Sequence, residues 1–128
     1  MENAKALVVV VDDDEDMAKA IKRLLTTAGF EAAMFTSAEA YLNREHVLVP
    51  KCLVLDVHLP GKSGFELYAL IQQSGQQIPV IFMSAFDDDK YQQQAQEMNA
   101  VAYLVKPFVG HDLIDVLKQQ MQTDLKSV

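Results

Sequence analysis

Cysteine is almost absent: Cys52 stands alone in 128 residues. One thiol excludes an internal disulfide and a zinc site built from several thiolates. Glycine and proline are sparse, five and four, and neither gathers into a flexible linker or a proline-rich tract. Long hydrophobic runs are missing too. The strongest, Ala6 to Val11, is too short for a membrane span or a signal-peptide core, and five acids follow it. Basic residues are in deficit, 11 against 18 acids, for a net charge of −7. Such a chain lacks the positive footprint with which proteins hold DNA or RNA. These absences point to a soluble domain, cytoplasmic in a bacterium, that touches neither membrane nor nucleic acid itself.

What is present is ordinary globular material. Half of the residues are hydrophobic and 23% are charged, which is not the composition of disorder. A chain of this length buries roughly two-thirds of its unfolded surface and needs no covalent staple. No repeat of solenoid length occurs. Glutamines gather at Gln72 to Gln77 and Gln92 to Gln96, between apolar positions at helical spacing, as on a neutral solvated helix face.

Short apolar runs alternate with longer amphipathic stretches. Leu7 to Val11 is continuous and β-branched, which suits a strand covered on both faces. Met17, Ile21, Leu24, Leu25 and Ala28 follow at helical steps until Gly29. Phe30 to Phe35 predicts a weaker strand at an edge. Ser37 is a candidate N-cap for a short helix through Tyr41 and Leu42. Cys52 to Leu55 predicts a third strand, and Phe65 to Ile71 a helix after the Pro60–Gly61 turn. Val80 to Met83, Asp88 to Met98, Ala102 to Val105, and Leu113 to Leu117 complete a fourth and a fifth pair. Strict alternation of this kind predicts an α/β fold: a five-stranded parallel sheet, doubly wound, with helices on both faces.

Ligands of such sheets bind beyond the carboxyl ends of the strands. Those ends read Asp12-Asp13-Asp14-Glu15-Asp16, then Asp56, then Ser84, then Lys106-Pro107. Acids crowded on one buried rim repel, so either one protonates or a cation joins them. Helix capping accounts for Asp14, Glu15 and Asp16. It accounts less well for Asp12 and Asp13, and not for Asp56, which no helix follows directly. Carboxylates from two strands suit a hard ion such as Mg²⁺. Lys106 is either a snorkelling surface lysine or the partner of these acids. A cis bond before Pro107 would aim it back at the rim. Ser84 alone could be a turn or cap residue. Together, a carboxylate, a metal, an amine and a hydroxyl can accept a phosphoryl group.

The pair Asp12-Asp13, Asp56 before Leu59-Pro60-Gly61, Ser84-Ala85 and Lys106-Pro107-Phe108 resemble the receiver domain of two-component response regulators. The resemblance covers about residues 5 to 122. The stretch Cys52 to Val57, with Pro60-Gly61 and Ser63-Gly64, is similar to the FixJ-like subfamily. The resemblance implies a flavodoxin-like strand order, 2-1-3-4-5. It implies Asp56 as phosphoacceptor and Mg²⁺ held by Asp13, Asp12, Asp56 and the backbone carbonyl of His58. Ser84 would bind the phosphoryl group and Lys106 would pair with Asp56. Tyr103 would be the aromatic switch that turns inward with Ser84. Its alternative is a half-buried strand aromatic with a wet hydroxyl.

The implied partner is a sensor histidine kinase, with a homodimer forming on phosphorylation. The output is transcription control through a domain other than this one. The activity is that of a switch that phosphorylates and dephosphorylates itself, not of an enzyme with an external substrate. Residues 1–128 are expected to form one receiver domain, with no output domain in this chain. The side chain of His58 is expected to face solvent or, alternatively, to affect water access and hence phosphate lifetime, and Cys52 to be a small core residue.

The chain departs from the family pattern in places. Asn99 stands where glycine is common, and asparagine tolerates a left-handed backbone. Phe86 with Asp87-Asp88-Asp89 replaces a smaller loop, and Ser84 lacks the methyl of the commoner threonine. Three competing readings fit less well. A phosphatase of this fold needs an acid where His58 stands. A flavodoxin needs a first turn that cradles phosphate, and here that turn is acidic. A pseudo-receiver is expected to lack an acid or the lysine, and none is missing.

Overall fold

The computed structural model describes residues 5–45 and 49–126, with side chains placed through position 121. Strands β1 (Leu7–Val11), β2 (Glu31–Phe35), β3 (Cys52–Asp56), β4 (Val80–Ser84) and β5 (Ala102–Val105) alternate with five helices. These are α1 (Glu15–Thr27), α2 (Ala38–Leu42), α3 (Gly64–Gln73), α4 (Asp89–Glu97) and α5 (Gly110–Lys126). The sheet runs β2-β1-β3-β4-β5, and every neighbouring pair is parallel. The fold class is the one the alternation predicts, and the strand order is the one the family resemblance implies.

Burial explains why continuous apolar runs became strands. Every residue of β3 and β4 is buried, and four of five in β1. The edge strands β2 and β5 are mostly half-buried. Alternate residues serve two cores. Val9, Val11, Leu53, Leu55 and Phe82 pack with α2, α3 and α4 on one face. Val8, Val10, Val54, Ile81 and Met83 pack with Ile21, Leu25, Leu113 and Leu117 of α1 and α5 on the other. Cys52 lies in this second core, as expected. Each fully buried aliphatic side chain contributes about 1.5–3 kcal/mol relative to exposure.

Local signals set the boundaries. Asp14 caps α1 by accepting from Met17 N at 3.2 Å. Ser37 caps α2 through Ala40 N at 3.0 Å. Ser63 and Glu66 form a reciprocal capping box on α3. Gly29 stands at φ +99° just past α1, and Asn99 at φ +60° past α4, conformations that glycine and asparagine adopt most readily. Between β1 and β3 the connections leave to opposite sides. The carboxyl ends of the strands therefore open into a rim there.

Candidate functional site

The carboxyl ends of four strands, β1, β3, β4 and β5, build the rim. Asp12, fully buried, follows β1, and its backbone N–H donates to the Phe35 carbonyl at 3.1 Å. Its Oδ1 accepts from Asp14 N at 3.0 Å. Asp13, the next residue, is exposed. Asp56 is the last residue of β3, and its Oδ1 accepts from His58 N at 2.9 Å. Lys106 follows β5, and the Lys106–Pro107 peptide is cis. Its Nζ donates to Asp12 Oδ2 at 2.7 Å and to Asp56 Oδ2 at 2.8 Å. One ammonium thus joins two acids that are 44 positions apart in sequence.

Asp12, Asp13 and Asp56 each present a carboxylate oxygen within 4.8 Å of one another. All three are hard oxygen donors from short side chains, and the exposed Asp13 leaves the solvent side open. That set fits Mg²⁺, which prefers one or two carboxylates and keeps several waters. The local charge argues the same way, since one ammonium faces three carboxylates. Burial pushes the Asp12 carboxyl above its ordinary value, despite the hydrogen bonds from Lys106 and the Asp14 amide. Burial works against the Lys106 ammonium as well. Its bonds to Asp12 and Asp56 outweigh that, and its value is raised. Lys106 therefore stays charged at neutral pH.

Ser84 ends β4, fully buried, and its Oγ accepts from Phe86 N at 3.0 Å. Its backbone carbonyl accepts from Lys106 N at 2.7 Å, which ties β4 to the lysine. Tyr103 lies on β5 beside β4, paired with Phe82. Its hydroxyl donates to the Phe86 carbonyl at 2.9 Å. Burial raises its phenol, the Ser84 side chain opposes this, and Asp88 and Asp87 add to the rise. Tyr103 is half-buried, and its hydroxyl bond to the loop after Ser84 lies at the exposed surface.

The side chain of His58 departs from expectation. It does not face solvent. The ring is half-buried, with Phe86 and Tyr91 each edge-on at 4.9 Å between centroids. Its Nε2 is buried and makes no hydrogen bond. The two T-shaped ring contacts offset part of the cost of that unpaired nitrogen. The contact also joins the β3–α3 loop to the β4–α4 loop. Phe86, Tyr91 and His58 are dispersed in sequence, and spacing carries no sign that they meet. Glu39 of α2 is another residue the motifs do not mark. Its Oε2 accepts from Lys62 N in the β3–α3 loop at 3.2 Å.

Comparison with known proteins shows the family. The family model for the response regulator receiver domain matches residues 8–118. The chain belongs to that family. It is a receiver domain of two-component signalling, a class whose usual partners are histidine kinases and which is not a classical enzyme. The receiver is 35% identical over 124 residues to Nodulation protein W of Bradyrhizobium diazoefficiens, covering 97% of this chain and 55% of that protein. It is 34% identical over 118 residues to the transcriptional regulatory protein FixJ of the same organism, covering 92% and 58%. A response regulator receiver protein from Burkholderia phymatum superposes with a TM-score of 0.81 at 36% identity, over 92% of this chain and 96% of that one. The receiver spans a little over half the length of these two curated relatives. Among the described residues no helix is long and apolar enough to cross a membrane.

Proposed function

We propose that this receiver is a phosphorylation switch in which Asp56 takes a phosphoryl group from a sensor histidine kinase with the help of Mg²⁺. The observation that carries the reading is the Lys106 ammonium held between Asp12 and Asp56, with Asp13 in the same 4.8 Å cluster. Asp13, Asp12, Asp56 and the His58 carbonyl would hold the ion. When bound, it neutralises charge on the phosphoryl oxygens. A carboxylate oxygen of Asp56 forms the new O–P bond in line as the donor's P–N bond breaks, and the donor imidazole keeps the electron pair and takes a proton. Lys106 then turns from the carboxylate to the phosphoryl oxygens, as charge-assisted bonding favours. Ser84 releases Phe86 N and donates to the phosphoryl group.

That movement is the switch. Ser84 and Tyr103 share the loop at Phe86, so a shift of Ser84 changes where the Tyr103 ring is held. The α4–β5–α5 face is remodelled as a population shift, and homodimer formation follows. Hydrolysis of the acyl phosphate at the same site resets the domain without an external enzyme. We read the whole chain as one receiver that works in the cytoplasm. Its output lies in another domain of a longer transcription regulator. The acidic balance of the chain, net −7, supports leaving DNA contact to that other domain.

Intact mass after incubation with Mg²⁺ and acetyl phosphate tests the chemistry. One added phosphoryl group is expected in the wild type and none in Asp56→Asn or in metal-free buffer. Tyr103→Ala should gain the group but no longer self-associate in sedimentation. No addition to the wild type under any condition would refute the switch.

A further inference from the structure

The β3–α3 loop runs from Val57 to Ser63 and carries His58. Its beginning is tied to the phosphoacceptor by the His58 N–Asp56 Oδ1 bond. Its end is tied by Gly64, whose N donates to the Val57 carbonyl at 3.1 Å. There a Cβ would collide with the backbone oxygen of Asp56. The tip is tied differently, by a side chain from another element. The carboxylate of Glu39, in the first turn of α2, lies across the turn at Gly61 and accepts from Lys62 N at 3.2 Å. Gly61 stands at φ +75°, and a Cβ on it would come within 2.9 Å of Glu39 Oε2. The positive φ is what favours glycine here, and the missing Cβ leaves the carboxylate room beside the turn.

The segment between this clamp and His58 is stiff. Leu59 is buried, Pro60 has a fixed φ, and the residue before a proline is restricted as well. Movement at the tip is therefore passed to the His58 backbone instead of being absorbed on the way. The Glu39 carboxyl lies below its ordinary value because its own backbone N–H and that of Lys62 both bond to it, with the Lys62 charge adding to this.

We propose that Glu39 is a positioning residue for the metal site: by clamping the loop tip at Gly61 and Lys62 it holds the His58 carbonyl where the ion needs it. This assignment rests on the Mg²⁺-dependent reading above. Glu39 touches no reacting group. Partners bonded directly to a metal ligand cost about 10–100-fold in affinity when lost; Glu39 acts through the loop backbone, and the low end of that range is expected.

The test is titration calorimetry of Mg²⁺ into the whole chain, paired with amide exchange at Lys62 and a metal-free thermal melt. Glu39→Ala should weaken Mg²⁺ about tenfold, speed exchange at Lys62 and leave the melt unchanged. Glu39→Asp keeps the charge but loses the reach, and should behave like Glu39→Ala. Glu39→Gln keeps an acceptor oxygen at the right distance, and should restore both affinity and protection. The assignment is overturned if Glu39→Ala binds Mg²⁺ as tightly as the wild type. It is equally overturned if the melt falls in step with affinity, which would make Glu39 a plain structural residue. Wild type that binds no Mg²⁺ would overturn the metal reading and the clamp together, and so separates the two failures.

Discussion

The same strands contain two unlike interiors. Along their bodies, Val8 to Val11, Cys52 to Leu55 and Val80 to Met83 are buried among other apolar groups. At their carboxyl ends, within one or two residues, stand Asp12, Asp56 and Ser84, also buried but polar. The bodies gain stability from every side chain they bury. The ends do not, because carboxylates lose water there and share one ammonium. The rim is thus a place where stability is surrendered to hold charge in a fixed geometry. The apolar bodies are what keep that geometry rigid.

Substitutions can break this comparison from either side. Leu55→Ala, one residue before Asp56, should cost about 3 kcal/mol as a core cavity, seen as a lower urea midpoint. Gly64→Ala should cost about 2 kcal/mol through overpacking, since the new methyl meets the Asp56 carbonyl. Unlike Leu55→Ala, it should also slow phosphorylation under conditions where the domain stays folded, because it displaces the backbone of Asp56 itself.

Asp12→Asn should have the smallest effect and the opposite sign. It relieves a desolvated charge, its Oδ1 can still accept, and Lys106 keeps Asp56 as partner, so it is expected to stabilise the metal-free domain by about 1 kcal/mol while weakening Mg²⁺. Its pH dependence sharpens the point. The folded Asp12 carboxyl keeps its proton to a higher pH than the ordinary 3.8 of the unfolded chain. Stability therefore falls as pH rises from 3.8 through the folded value, and stays at that lower level above it. The asparagine lacks this fall. Its advantage in urea melts without Mg²⁺ should be near zero at about pH 3 and full at neutral pH. An equal advantage at both would show that Asp12 is not destabilised by burial.

Legibility divides along the same boundary. Strand bodies were readable because a continuous β-branched run has few other places to go. Helix ends were readable where one residue does the work, as at Asp14, Ser37, Gly29 and Asn99. The four strand-end motifs were readable because alternating β and α units bring successive strand ends to one rim whatever the loops do. The His58 ring was misjudged because its cover comes from Phe86 and Tyr91, 28 and 33 positions away. Glu39 was not marked because a surface glutamate in a first helical turn is what dipole and solvation favour anyway.

By itself, then, the sequence determined the alternation, the parallel sheet and the residues gathered at its carboxyl edge, since periodicity and burial are local consequences of residue type. Tertiary structure alone decided that Asp12 shares the lysine with Asp56, which rings enclose His58, and that Glu39 closes over Gly61. Those contacts depend on how the helices and loops lie across the sheet. Groups far apart in sequence meet at distances of 2.7 to 3.2 Å, and periodicity along the chain does not set such an approach.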